Sequence, residues 1–234
     1  MIFLSIAENL DKIRNNIDTI KKEKGLDYDI TLIAVSKTVD EEKVLEAYEH
    51  GQHDFGENKV QELTKKESSL NNLEDINFHM IGYLQSNKVK YLVNTAKLIH
   101  SLDRKSLIKE MEKRGKSEDF IFNCLIQVNL AKEESKSGIY LEDLGELLTL
   151  IEGSKYIRVK GLMMIAPFYE DAEDVRPLFR QMKELFDELK VRDFKNIEMK
   201  YLSMGMSHDY KVAVEEGSNM VRIGTDIFGK RVYV

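Results

Sequence analysis

The strongest constraint in this chain is an alternation. Short apolar runs at residues 30–35, 53–55, 77–81, 98–100, 120–128, 157–163, 198–201 and 220–223 are separated by longer stretches with helical periodicity, among them 41–49, 59–70, 105–114, 141–152 and 175–191. Strand-length runs alternating with amphipathic helices build parallel sheets, because each parallel pair needs a crossover connection. Eight such units in 234 residues predict a closed (β/α)8 TIM barrel. An open doubly wound sheet typically has about five or six strands. The second and fourth runs are the weakest strands. A helix over 4–24 precedes the first strand, since Ile6, Leu10, Ile13 and Ile17 recur at spacings of three and four and Gly25 is a natural stop. Only two prolines are present, with no Ser/Gly tract or charge block to serve as a linker. Residues 1–234 therefore read as one α/β domain.

A formal net charge of −6 argues against a general nucleic-acid or membrane-surface binder. An anionic ligand would need a local positive site. No apolar run approaches the length of a membrane span. The N-terminal stretch lacks the basic region of a secretory signal, so a cytoplasmic location is expected. The single cysteine, Cys124, lies in an apolar run and reads as a buried core thiol in a reducing compartment. No His, Cys, Asp or Glu grouping has metal-ligand spacing.

Barrel active sites lie at the C-terminal ends of the strands. Lys37 follows the first strand in A-V-S-K-T, and Asn58 the second in F-G-E-N. S-M-G-M-S (203–207) follows the seventh, and Gly224 and Thr225 the eighth. A lysine held at a strand end has its neutral amine favoured by burial, and that amine is the nucleophile needed to attack an aldehyde. The loops after strands seven and eight form the usual phosphate site of such barrels, here with glycines, hydroxyls and the amides of a short helix over 225–228. Position alone favours a solvated lysine, and the two loops alone read as ordinary Gly/Ser turns, so either group by itself is weak evidence. Together, a lysine and a phosphate cradle in one mouth suggest a phosphorylated aldehyde or ketone.

These residues carry a resemblance. A-V-S-K-T (34–38), F-G-E-N-K-V-Q-E (55–62), H-M-I-G-Y-L-Q-S-N-K (79–88), Q-V-N (127–129), E-S-K-S-G (134–138), G-L-M-M-I-A-P (161–167), L-S-M-G-M-S (202–207) and M-V-R-I-G-T-D-I-F-G (220–229) occur in order at the expected strand ends. Over residues 30–233 the chain resembles the pyridoxal phosphate homeostasis proteins, relatives of the alanine racemase barrel domain. The resemblance implies that Lys37 carries pyridoxal 5′-phosphate (PLP) as a Schiff base and that Asn58 lies near the ring. Ser203 and Ser207 would hold the phosphate, with Gly224 and Thr225 contacting it. Arg222 would face the pyridine nitrogen and keep it unprotonated, because adjacent cations repel. The chain departs from the family pattern at Phe78, in the segment where a tryptophan is usual, and at His208, where an acidic or polar residue is commoner.

The implied role is intracellular PLP buffering or delivery without turnover, with apo PLP-dependent enzymes as acceptors and a monomeric state. The alternative is a racemase-like enzyme, which needs an acid/base on each face of the cofactor. In alanine racemase a second domain supplies one of them, and none is expected here. A third option is an adaptor whose partner recognition depends on bound PLP. His79 and His100 read as hydrogen-bonded structural histidines. Met163, Met164, Met204 and Met206 read as packing around a ring. Lys88, Lys136, Lys230 and Arg231 read either as solvated charges or as a basic rim around the mouth.

Overall fold

The computed structural model describes residues 4–229. Eight parallel strands form a closed barrel in chain order. They are β1 (Thr31–Val35), β2 (Asp54–Glu57), β3 (Asn77–Met80), β4 (Leu98–Leu102), β5 (Phe122–Gln127), β6 (Ile157–Met163), β7 (Ile197–Ser203) and β8 (Met220–Ile223). β8 pairs back onto β1 from Thr31 opposite Met220 to Ala34 opposite Ile223, which closes the ring. Outside it run α1 (Ile6–Lys24), α2 (Glu41–Glu49), α3 (Val60–Leu70), α4 (Lys105–Glu118), α5 (Leu141–Glu152), α6 (Arg176–Lys190), α7 (Tyr210–Glu215) and the single turn α8 (Thr225–Phe228). The fold is the (β/α)8 TIM barrel with an extra N-terminal helix. All eight expected strands are present. β2 extends to Glu57 and β4 to Leu102, beyond their short apolar runs.

The helix that precedes the barrel is specified locally at both ends. Ser5 and Glu8 form a reciprocal capping box, and Gly25 closes the C-terminus at φ 64°, a conformation glycine adopts without steric penalty. Ile6, Leu10, Ile13, Ile17 and Ile20 are buried, giving one apolar stripe. That stripe packs against α2, α7 and α8, the helices around the β8–β1 closure. Asn9 donates to the Ile227 carbonyl at 3.0 Å and Asn16 to the Tyr210 hydroxyl at 2.9 Å. Arg14 donates to the His50 and Gly51 carbonyls, both at 2.9 Å.

Two apolar layers hold the barrel. The larger lies between sheet and helices, with Phe55, Phe122 and Phe179 among its fully buried side chains. The smaller comprises Ile33, Leu98, Leu125, Met163 and Met220, with Ile165 and Tyr201 packed against it. Strand residues alternate between these layers, as the period of two requires. Met163, Met164 and Met204 are fully buried. Of the four methionines expected around a ring, only Met206 reaches the mouth cavity. Among the described residues, no helix is long and apolar enough to cross a membrane, and no His, Cys, Asp and Glu group is arranged to hold a metal ion.

Cys124 is fully buried, and burial pushes its thiol well above the ordinary range. Thiolate is the reactive form. A thiol-specific reagent is therefore expected to leave the native protein unmodified and to label Cys124 only along the unfolding transition. Fast stoichiometric labelling of folded protein would contradict this packing.

Candidate functional site

Lys37 is positioned by a strained turn. β1 ends at Val35, and a turn over residues 36–39 follows, with the Val39 amide donating to the Ser36 carbonyl at 2.9 Å. Thr38 sits at φ 60°, unfavourable for a β-branched residue by roughly 1–3 kcal/mol. The Glu62 carboxylate holds it there by accepting from the Thr38 amide at 2.9 Å. The half-buried Lys37 side chain lines the mouth.

The neighbouring Ser36 and Glu57 anchor this turn to the barrel. The Ser36 hydroxyl donates to Glu57 Oε1 at 2.7 Å. Lys66 Nζ donates to the same oxygen at 2.7 Å and to the Ser36 carbonyl at 2.6 Å. Burial raises the Glu57 carboxyl pKa, with Lys66 and Ser36 opposing that rise. Glu57 Oε2 is buried without a hydrogen-bond partner. Lys66 was not among the expected site residues. Its signal was present in the apolar stripe of α3, where Val60, Leu63, Lys66 and Leu70 are all buried.

Asn58 follows β2, and Gly82 follows β3 against it. A Cβ at Gly82 would lie 2.4 Å from the Asn58 carbonyl oxygen and 2.7 Å from its Cα, so only glycine permits this approach. On the opposite wall, Gln127 donates to the Ser137 carbonyl at 2.8 Å, and Asn129 donates to the Glu133 and Lys136 carbonyls at 2.9 and 3.1 Å. Those bonds hold the loop carrying Lys136, whose Nζ donates to the Ala166 carbonyl at 2.8 Å.

After β7 the chain turns at Gly205, φ 95°, with Ala213 and Tyr210 packed close. The Asp209 carboxylate accepts from the Met206 amide at 2.6 Å, and the Gly205 carbonyl accepts from the Arg222 amide at 3.0 Å. These bonds bring S-M-G-M-S beside the end of β8. Arg222 is buried, and burial pulls its guanidinium pKa down to about 10, with Asp209 opposing the shift. It remains a cation at neutral pH. Its Nη1 donates to the Ser203 hydroxyl at 2.6 Å and its Nη2 to the Met164 carbonyl at 2.8 Å.

Lys37, Asn58, Ser207, Arg222, Gly224 and Thr225 line one cavity of about 530 Å³ at the C-terminal end of the barrel, a volume typical of small-molecule sites. Tyr83, Lys136, Ile165, Met206 and His208 are also in its walls. Ser203 is the expected site residue that does not line it. It is fully buried, and its hydroxyl is committed to Arg222 and His100. Lys136 reaches the cavity, whereas Lys88 lies over the Tyr91 ring and is absent from the lining. Lys230 and Arg231 lie outside the described residues. A larger groove of about 920 Å³ runs beside α1 and α8 and shares Ser207 and Thr225, but contains none of Lys37, Asn58 or Arg222. The chemistry therefore concentrates in the smaller cavity.

The family model for the alanine racemase N-terminal domain matches residues 9–232. A pyridoxal phosphate homeostasis protein of Aquifex aeolicus is 44% identical over 231 residues, covering 98% of this chain and 100% of that protein. The protein of that name from Escherichia coli K12 is 40% identical, with 97% of each chain covered. The chain belongs to the pyridoxal phosphate homeostasis protein family. Among solved structures, PipY of Synechococcus elongatus with PLP bound superposes with a TM-score of 0.84 at 34% identity, covering 96% of this chain and all of that one. Alanine racemase of Clostridium difficile shares the fold, with a TM-score of 0.67 at 17% identity over 97% of this chain and 60% of its own.

Two predictions follow from the buried polar groups. Removing one member of a buried ion pair typically costs about 3–5 kcal/mol, so Lys66→Met should lower unfolding free energy by roughly that amount in denaturant titration. A loss below about 1 kcal/mol would mean that Lys66 is solvated. His100 is buried beside His79 and Arg222, and burial, reinforced by both neighbours, holds its pKa well below the ordinary 6.5. Between that depressed value and 6.5 the unfolded chain binds more protons than the folded one. Stability from this group is thus complete above pH 6.5 and declines as pH falls. His100→Asn should flatten the acid limb of the stability–pH profile relative to wild type. Parallel profiles would refute the neutral assignment of His100.

Proposed function

We propose that this protein binds pyridoxal 5′-phosphate in the mouth cavity, covalently through a Schiff base on Lys37, and serves PLP buffering or delivery without turnover of its own. The observation that carries this reading is the donor set of one cavity: a lysine amine, a buried guanidinium, and the hydroxyls and loop backbone at Ser207, Gly224 and Thr225. That set matches an anionic, phosphorylated aromatic aldehyde. Bound PLP would supply a reactive carbonyl and an electron-accepting ring. Lys37 would hold the carbonyl carbon, Asn58 would neighbour the ring, and Ser207, Gly224 and Thr225 would receive the phosphate. Gly82 keeps Asn58 close to the mouth.

Arg222 argues for carrying over catalysis. A guanidinium opposite the pyridine nitrogen disfavours its protonation and weakens the ring as an electron sink. Among the described residues, the titratable side chains lining the cavity are Lys37, Tyr83, Lys136, His208 and Arg222. Tyr83 is exposed and lies against the Arg104 guanidinium, 4.4 Å from its ring. His208 pairs with the Tyr169 carbonyl at 3.0 Å. Neither is set in a buried network that would tune it as a second acid/base. In this reading the protein acts in the cytoplasm, and apo PLP-dependent enzymes receive the cofactor.

Borohydride reduction after PLP addition, followed by peptide mass spectrometry, should place a stable adduct on Lys37. Lys37→Ala should abolish it. Pyridoxal should bind at least roughly tenfold more weakly than PLP, since each charge-assisted phosphate contact contributes about 1.5–3 kcal/mol. Alanine or serine in deuterated water should show no α-proton exchange beyond that with free PLP. A reproducible adduct on another lysine with Lys37 unmodified would defeat the covalent assignment. Exchange at rates on the order of 1–1000 per second would establish an enzyme instead.

A further inference from the structure

A continuous hydrogen-bonded column runs through the barrel interior. It starts at Asp54, the first residue of β2, whose side chain is 30% exposed. Asp54 lines a second cavity, of about 340 Å³, at the N-terminal end of the strands. Asp54 Oδ1 is 3.0 Å from His79 Nε2 on β3. His79 Nδ1 is 3.1 Å from His100 Nε2 on β4. His100 Nδ1 is 3.2 Å from the Ser203 hydroxyl at the end of β7, and that hydroxyl accepts from Arg222 Nη1 at 2.6 Å. β4 and β7 are not neighbours in the sheet, so the His100–Ser203 bond crosses the interior. His79, His100, Ser203 and Arg222 are all buried.

The chemistry of the two ends sets the direction of every bond. Arg222 can only donate, so the Ser203 oxygen accepts from it. The hydroxyl oxygen could accept a second bond, but its buried proton would then lack a partner, so the direction that satisfies both groups has Ser203 donating to His100 Nδ1. His100 Nδ1 is thus an acceptor and its Nε2 carries hydrogen, donated to His79 Nδ1. His79 Nε2 in turn donates to Asp54, which as a carboxylate only accepts. This pattern makes both rings Nε2–H tautomers, and burial disfavours the charged form of His100. A cation ends the column at the mouth, an anion ends it at the far face, and the bonds between them are polarised in one sense.

We propose that Asp54, His79, His100 and Ser203 are positioning residues that orient Arg222 as a donor at the mouth, so that a carboxylate at the opposite end of the barrel tunes cofactor affinity. This rests on the placement of PLP against Arg222 proposed above. The column acts through the guanidinium and touches no ligand itself. It explains why Ser203, which lies in the phosphate-loop motif, spends its hydroxyl inside the barrel.

Two measurements test this. Imidazole ¹⁵N NMR of the cofactor-free protein should show neutral Nε2–H tautomers at both His79 and His100. An Nδ1–H tautomer or a charged ring at either position at neutral pH would overturn the direction of the column. PLP affinity and the absorption band of the Lys37 adduct should then be compared among wild type, Asp54→Asn, Ser203→Ala and the double variant. The carboxamide that Asp54→Asn introduces can donate as well as accept, which frees the column to reverse. Each single variant should shift the band and raise the dissociation constant about tenfold, the scale of one weakened charge-assisted hydrogen bond. The double variant should be no weaker than Ser203→Ala alone, because both substitutions act on one path. Wild-type affinity and spectrum in both singles, or additive losses of roughly a hundredfold, would overturn the proposal. If either variant fails to fold, the tautomers of the wild-type protein still decide. Absence of any wild-type adduct on Lys37 would instead fail the binding reading, leaving the tautomer result to stand separately.

Discussion

A buried guanidinium governs the interior of this barrel. Taking an ion out of water carries a penalty of several kcal/mol even after relaxation, so Arg222 can persist only where its donors are met. The Ser203 hydroxyl and the Met164 carbonyl meet two of them, and Asp209 supplies opposing charge from the β7–α7 loop. Each compensating group lies on a different segment of the chain. The ends of β6, β7 and β8 and the loop that follows β7 are therefore tied to one side chain. The small apolar cluster of Ile33, Leu98, Leu125, Met163 and Met220 surrounds a polar path instead of filling the barrel alone.

The mouth combines rigidity with access. Thr38 is held in a left-handed turn by Glu62, and Gly82 presses on Asn58 with no room for a side chain. Such features keep geometry that a flexible loop would lose. Thr225 at the start of α8 and His208 in the loop after β7, by contrast, are exposed where they line the mouth, and Lys37 is half-buried. Binding groups rest on strand ends, while the outer wall remains open to exchange with solvent. That contrast is consistent with the hold-and-release role proposed above.

The fold was legible because its signals are local and repeated. Strand-length apolar runs and the three- and four-residue spacing of α1 are written residue by residue, and motifs at the strand ends located six of the mouth residues. What escaped depended on direction across the barrel. Ser203 and Ser207 stand in the same S-M-G-M-S motif, yet one turns inward to Arg222 and the other lines the cavity. His79 and His100 could be read as hydrogen-bonded, but not as partners of each other, since 21 residues separate them. Lys88 follows a strand end like Lys136, but the 3-10 turn Ser86–Tyr91 carries it onto a tyrosine ring. Lys66 shows the converse: its place in an apolar stripe was visible, and only the charge concealed it.

The closure of the barrel also imposes an order on its birth. β1 must wait for β8 to complete its pairing, and α1 must wait for α7 and α8. In the growing chain the isoleucine-rich stripe of α1 is made before α7 and α8, which complete its cover. Contacts between the two ends of a chain form slowly, because the intervening loop must first be closed. Until then the nascent chain displays a sticky helix and an unpaired strand edge, features that invite chaperones or aggregation. Arg222 arrives in that final unit. The mouth cavity consequently forms only once the eighth strand and its helix have been made, and the earlier units alone enclose no complete cavity.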